Sequence, residues 1–296
     1  MTLRTPGIAL ITALTVAGAT PPALRRQLAA IAAESGGKVA VACSLPGSKF
    51  GCDLNPRARP PMQSVFKLPL VITALHRVEQ GAFTLDQPVR FLPSDRILPQ
   101  TYSPLQDKYP EAGVDVPLRE LMRLAASLSD NAAADILLRV LGGPAEVETY
   151  VHSLEGAGFR LQDSEAANHR DASLQYRNWW QPAAAVRLLR RLKERSPLDA
   201  DHTRLLFTWI GESPTGPQRI RGRLPAGTKV AHKTGTSGTH EGLTAATNDI
   251  GLITLPDGRS LAIAVFVTDS KADEPAREAT IARIAEAAYK AAIAAR

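Results

Sequence analysis

Apolar residues change their spacing twice along this chain, which divides it into three stretches. In the first, Ala23 to Ala33 has helical composition and stops at Gly36-Gly37, and Lys38 to Cys43 and Phe50 to Leu54 then read as short strands. The segment Asn55-Pro-Arg-Ala-Arg-Pro-Pro61 interrupts regular structure. From Gln63 to about Leu206 the spacing is helical. Ser64 to Gln80 is apolar nearly all round before Gly81, which predicts a buried helix bent at Pro69. Pro117 to Ala126, Ala132 to Leu141, Pro182 to Glu194 and Asp201 to Ile210 complete the helical set. The last third returns to β-type spacing in Lys229 to Lys233, Asp249 to Leu255 and Ser260 to Thr268, with Asp257-Gly258 as a hairpin signal. Pro275 to Ala295 closes the chain as an Ala-rich helix.

Sheet-forming segments at both ends with helices between them predict an α/β fold of α+β sandwich type. Its antiparallel sheet carries the terminal helices, and an all-α lobe is inserted in the middle. On this division residues 20–60 and 211–296 form the α/β lobe and residues 61–210 the helical one. A small-molecule site is expected in the cleft between them.

Composition refines this picture in three ways. Met1 to Ala19 holds one charge, Arg4, then the apolar run Ile8 to Val16 and the small residues Ala17-Gly18-Ala19, the pattern of a cleavable export signal. Its apolar run is short and interrupted by threonines, so an anchored N-terminus stays open as the alternative. Cleavage would leave a periplasmic or secreted product with no membrane segment. The net charge of +6 is carried by scattered arginines without interleaved aromatics, which speaks against nucleic-acid binding. Finally, a two-residue turn at Gly47-Ser48 would set Cys43 opposite Cys52 as a non-hydrogen-bonded pair. A disulfide is then sterically possible, with two reduced thiols as the other reading.

Three motifs carry candidate chemistry. Ser64-Val-Phe-Lys67 puts a hydroxyl and an amine on one helical face, where a desolvated lysine can activate a serine. Ser129-Asp130-Asn131 either caps the helix that follows or supplies a proton relay and an amide for a substrate carbonyl. Lys233-Thr234-Gly235-Thr236-Ser237 continues a strand. It is either a sheet-edge turn or a cradle in which Lys233 and Thr234 meet an anion and a main-chain N–H near Thr236 meets an oxyanion. Each motif alone is weak; a chain of this length contains roughly one Ser-x-x-Lys spacing by chance.

Their occurrence together and in this order carries the argument further. Four further segments, Met62-Gln63-Ser64-Val65-Phe66-Lys67, Gln175-Tyr176-Arg177-Asn178-Trp179, Thr215-Gly216-Pro217 and Ala245-Ala246-Thr247-Asn248-Asp249, add to the match. With them the chain resembles the class A serine β-lactamases over nearly all its mature length, in particular the extended-spectrum PER and VEB type branch.

The resemblance implies a β-lactamase/transpeptidase-like fold with an Ω-loop near residues 160–180. It also implies hydrolysis of penicillins and cephalosporins, extended-spectrum ones included, and with it antibiotic resistance. Ser64 would be acylated, with Lys67 or Glu165 as the base. Ser129 would pass a proton to the leaving nitrogen, and Glu165 would activate the deacylating water. Lys233, Thr234, Gly235, Thr236 and Ser237 would engage the substrate carboxylate and oxyanion, and Asn131 the side-chain amide. The β-lactam is the one partner expected of a monomer; no cofactor and no metal are implied.

Two departures stand out. His169 replaces the asparagine that many relatives use beside the catalytic water. No Lys or Arg occurs from Thr234 to Gly258, where many relatives supply an arginine, so Arg219 becomes the candidate replacement. Penicillin-binding D,D-peptidases and penicillin sensors share the serine, lysine and second serine, and they form the competing reading.

Overall fold

A computed structural model describes residues 19–295; the expected export signal lies outside the described residues except for Ala19. Four long antiparallel strands run in the order Lys38–Ser44, Ser260–Ser270, Leu243–Thr254, Val230–Thr236, and a short Thr239–His240 strand pairs beside the third. Val230–Thr236 therefore forms an open edge, and its Lys-Thr-Gly motif lies near the strand's end in register with Ile250, Asp249 and Asn248.

Both faces of this sheet are covered, and the side chains divide by the two-residue period of a strand. Val39, Val41, Cys43, Ile263, Val265 and Val267 pack under the terminal helices Pro22–Ala33 and Glu274–Ala294. Ala40, Ala42, Ile250, Leu252, Ala264 and Phe266 face the helices of the middle of the chain instead. This is the antiparallel α/β architecture expected from the sequence.

The differences from expectation have local causes. Ser64 does not start an α-helix: a 3₁₀ turn, Gln63–Phe66, leads into the helix Lys67–Glu79. Pro69 then stands in the first helical turn, where its missing N–H costs nothing, and no mid-helix bend is required. The third sheet strand begins at Leu243, six residues before the expected Asp249, because Thr244, Thr247, Asn248 and Asp249 are polar yet buried. An additional helix, Pro144–Glu155, buries only Val147 and Val151, too little for an apolar period to be visible.

At the N-terminal hairpin the register is as expected, with Val41 facing Leu54 and Ser44 facing Gly51, and Cys43 is bridged to Cys52 with Cα atoms 4.9 Å apart. The turn differs. Ser48 N–H bonds Leu45 C=O at 3.2 Å, so Pro46 and Gly47 are its central residues, with Gly47 at φ 71°. That shifts the hydrogen-bond phase by one residue. Val41 and Leu54 exchange both main-chain bonds, at 2.7 and 3.0 Å, which puts Cys43 and Cys52 on the hydrogen-bonding parity and not on the other.

Candidate active site

The buried start of the Lys67–Glu79 helix presents the nucleophile candidate. Gln63 is left-handed at φ 48°, a conformation costing about 1–3 kcal/mol in a non-glycine residue. The next residue, Ser64, meets the fully buried Lys67: Lys67 Nζ donates to Ser64 Oγ at 2.9 Å and to the Ser129 carbonyl at 2.8 Å, and it also bonds Asn131 Oδ1. Its fourth neighbour is Glu165 Oε1 at 2.9 Å. Four oxygens thus surround Lys67 Nζ.

Ser129 reaches the site through a π turn, Leu124–Leu128, after which it is itself left-handed at φ 62°. Asp130 caps the Asn131–Leu141 helix, accepting Ala133 N–H at 2.8 Å, and it also holds Ser103 Oγ at 2.8 Å and Leu105 N–H at 2.6 Å. Asp130 is thus the capping member of the triplet, while Ser129 and Asn131 meet the two lysines, Lys67 and Lys233. From the opposite side Lys233 Nζ donates to Ser129 Oγ at 2.8 Å and to the Thr234 carbonyl at 2.9 Å. Burial, and then the nearby charge of Lys67, hold the Lys233 amine well below the ordinary lysine range, against the opposing pull of Glu165 and Asp249.

Glu165 opens a short helix, Glu165–Arg170, capped by Ser164. Its side chain is buried, and Ser64 Oγ donates to Oε1 at 3.1 Å. Burial alone would raise this carboxyl; the charge and hydrogen bond of Lys67, the His169 ring and the Ser64 hydroxyl outweigh it and hold the group below the ordinary glutamate value. Asp135 aims the loop, accepting the N–H groups of Glu165 and Ala166, each at 2.8 Å. Burial pushes the Asp135 carboxyl up to about 6, with the Glu165 charge adding and the two amide bonds opposing. His169 turns back on its own helix, its Nδ1 2.7 Å from the Glu165 carbonyl.

On the anion-binding side, Thr234 Oγ1 donates to Thr215 Oγ1 at 2.8 Å. Arg219 is buried beside the end of the strand. It donates to Glu278 Oε1 at 2.9 Å, to the carbonyls of Gly235 and Asn248 at 3.3 and 3.0 Å, and to Thr236 Oγ1 at 2.7 Å. The Ser237 hydroxyl likewise closes the strand end, taking Ala246 N–H at 2.9 Å and donating to the Gly238 carbonyl at 3.0 Å. Arg219 and Ser237, both expected to engage a substrate carboxylate, thus lie at the end of the Lys-Thr-Gly strand, with Arg219 donating to the hydroxyl of the exposed Thr236.

One constellation thus joins Ser64, Lys67, Ser129, Asn131, Glu165 and Lys233. A family model described as the β-lactamase enzyme family matches residues 23–292. The chain belongs to that family. It is 40% identical over 272 residues to the extended-spectrum β-lactamase PER-1 of Pseudomonas aeruginosa, covering 92% of this chain and 88% of that protein. β-Lactamase VEB-1 of the same organism is 36% identical, with 76% of each chain covered. Among solved structures, a β-lactamase from Chitinophaga pinensis superposes with a TM-score of 0.88 at 42% identity, covering 91% of this chain and 99% of that one. TLA-1 extended-spectrum β-lactamase gives 0.87 at 36% identity, with 90% and 97% covered.

Within this family framework, sequence reasoning passed over Asp135, Thr215 and Glu278 as site components. Asp135 follows Asn131 by one helical turn, so the helical spacing carried a signal for it. Glu278 lies far along the chain from Arg219, and no local pattern links the two. No helix among the described residues is long and apolar enough to cross a membrane.

Proposed function

We propose that this protein hydrolyses the lactam amide of β-lactam antibiotics, bulky cephalosporins among them, through an ester on Ser64. The observation that carries the reading is the buried Glu165 carboxylate 3.1 Å from Ser64 Oγ and 2.9 Å from Lys67 Nζ. An enzyme that only becomes acylated has no need of a second base beside its nucleophile.

Lys67 Nζ and Glu165 Oε1 both reach Ser64 Oγ, at 2.9 and 3.1 Å, and either can take its proton as Oγ attacks the lactam carbonyl. The main-chain N–H groups of Ser64 and Thr236 hold the oxyanion, each contributing about 3–4 kcal/mol to the transition state. As the intermediate collapses the C–N bond breaks, and Ser129, backed by Lys233, protonates the departing nitrogen. Asn131 holds the side-chain amide of the drug, Thr234 and Thr236 its carboxylate, with Gly235 leaving room for close approach. The proton taken from Ser64 is passed on to Ser129, where it replaces the one given to the nitrogen, so Glu165 is left as a carboxylate no longer bonded to a Ser64 hydroxyl. The freed carboxylate then deprotonates a water that attacks the ester, and Ser64 leaves with its proton restored. His169 supports the Glu165 helix, and Arg219 and Ser237 support the strand end.

The export signal and the Cys43–Cys52 bridge favour action outside the cytoplasm, as a soluble monomer. Turnover of a chromogenic cephalosporin tests the reading. Many drug molecules opened per enzyme is the expected result. A stoichiometric burst followed by no further reaction would instead mark a D,D-peptidase or sensor.

A further inference from the structure

Asn248 is fully buried at the centre of the sheet and touches three parts of the site at once. Its side-chain amide donates to the carbonyls of Pro61 at 2.9 Å and Met62 at 3.2 Å, in the peptides that precede Met62 and Gln63. The Met62 carbonyl also closes the Ser64 turn by accepting Val65 N–H at 3.2 Å. It presses against Gly235 so closely that a Cβ there would stand 2.5 Å from it. Gly235 is in turn the residue that Asn248 faces across the sheet, and the Asn248 carbonyl accepts Arg219 at 3.0 Å.

The strand alternation adds a direction. Ser237 N–H bonds the Ala246 carbonyl at 3.0 Å, so Gly235 and Asn248 form a hydrogen-bonded pair while Thr236 and Thr247 do not. Thr236 N–H therefore points off the open sheet edge. We propose that Asn248 is a positioning residue for acylation, holding the Ser64 turn against Gly235 and Thr236 so that the N–H groups of Ser64 and Thr236 meet on one oxyanion. The proposal rests on the Ser64 acyl-enzyme reading above.

The neighbouring Asp249 supplies a comparison. It is as deeply buried on the same strand, but its side chain emerges on the other face, where it accepts His232 Nδ1 at 2.9 Å and Ile220 N–H at 3.1 Å, and it makes no bond to the Ser64 turn. Damage to the sheet alone would be common to variants of both residues.

Asn248→Leu keeps most of the volume and removes the donor without adding a charge; Asn248→Ala carries the comparison should the first not fold. The acylation rate and the substrate dissociation constant are read by rapid mixing with a chromogenic cephalosporin, per titrated active site. Inhibition by an arylboronic acid is measured alongside, because its tetrahedral adduct on Ser64 places an oxygen where the oxyanion forms. The Asn248 variants are expected to acylate about 100-fold more slowly and to lose boronate affinity in parallel, with substrate dissociation changed less than about threefold. Asp249→Asn is expected to stay within about fivefold in acylation while its melting temperature falls. Parental acylation in folded Asn248 variants, or equal slowing in both families of variants, would overturn the proposal. Ser64→Ala separately tests the reading beneath it, since any adduct formed by that protein would refute the nucleophile itself.

Discussion

Ser64 stands in the 3₁₀ turn that leads into a helix buried without interruption from Lys67 to Leu75, whereas Glu165 rides on a stretch that hangs on polar side chains. Asp135 holds two of that stretch's amides. Asn178 accepts from Gln162 and Asp163 N–H at 2.8 and 3.0 Å and returns a bond to the Asp163 carbonyl at 2.8 Å. Gln63 bonds Gln175 at 2.6 Å, and Tyr176 bonds Asp269 at 2.6 Å. Apolar burial is insensitive to pH and dense in contacts; a few hydrogen bonds are neither. The half-reaction that makes the ester thus stands on a rigid wall, and the half-reaction that clears it on an adjustable one.

The largest expected effect lies at the end of that adjustable wall. Glu165→Ala should lower kcat by about 10³-fold or more in steady-state assays, with acylation much less affected. Acylation lost to the same extent would erase the division between the walls.

Asp135 should give an intermediate effect, visible as a pH profile. Its folded value of about 6 lies above the ordinary aspartate value, so its contribution favours the fold at low pH and is lost as pH rises through 6. Protonation, however, takes an acceptor from the two amides that aim Glu165. Turnover should therefore fall as pH drops through about 6, while this group's contribution to stability moves the other way. Glu165, held below its ordinary value, remains ionised throughout that window. Asp135→Asn should reduce kcat about tenfold and move the acid limb to lower pH. Profiles of kcat and melting temperature check this, and an acid limb left near 6 in the variant would assign it elsewhere. Tyr176→Phe should do least: its bond to Asp269 is half-exposed, so a loss under about 1 kcal/mol by denaturant titration and kcat within about twofold are expected.

How much of this was legible follows the same line. The sheet and most helices were readable because apolar burial leaves a period, as in Pro182–Glu194, whose bounds match expectation. The strand from Leu243 was readable only from Asp249 onward, since Thr244, Thr247 and Asn248 are polar yet buried, the last two bonded to partners far along the chain. The cluster around Ser64 was legible through its motifs. The supports were not: Arg219 was placed by elimination and bonds the Thr236 hydroxyl, while Glu278, its partner 59 residues on, carries no local mark.

A lower kcat alone does not say which wall has failed, but the mass of the intact protein does. Glu165→Ala mixed with benzylpenicillin and quenched over minutes to hours should carry one drug molecule per enzyme, on Ser64, while the parent treated alike returns to its free mass once the drug is consumed. A Glu165→Ala protein that stays unmodified, or a parent that stays acylated, would contradict the deacylating role of that carboxylate.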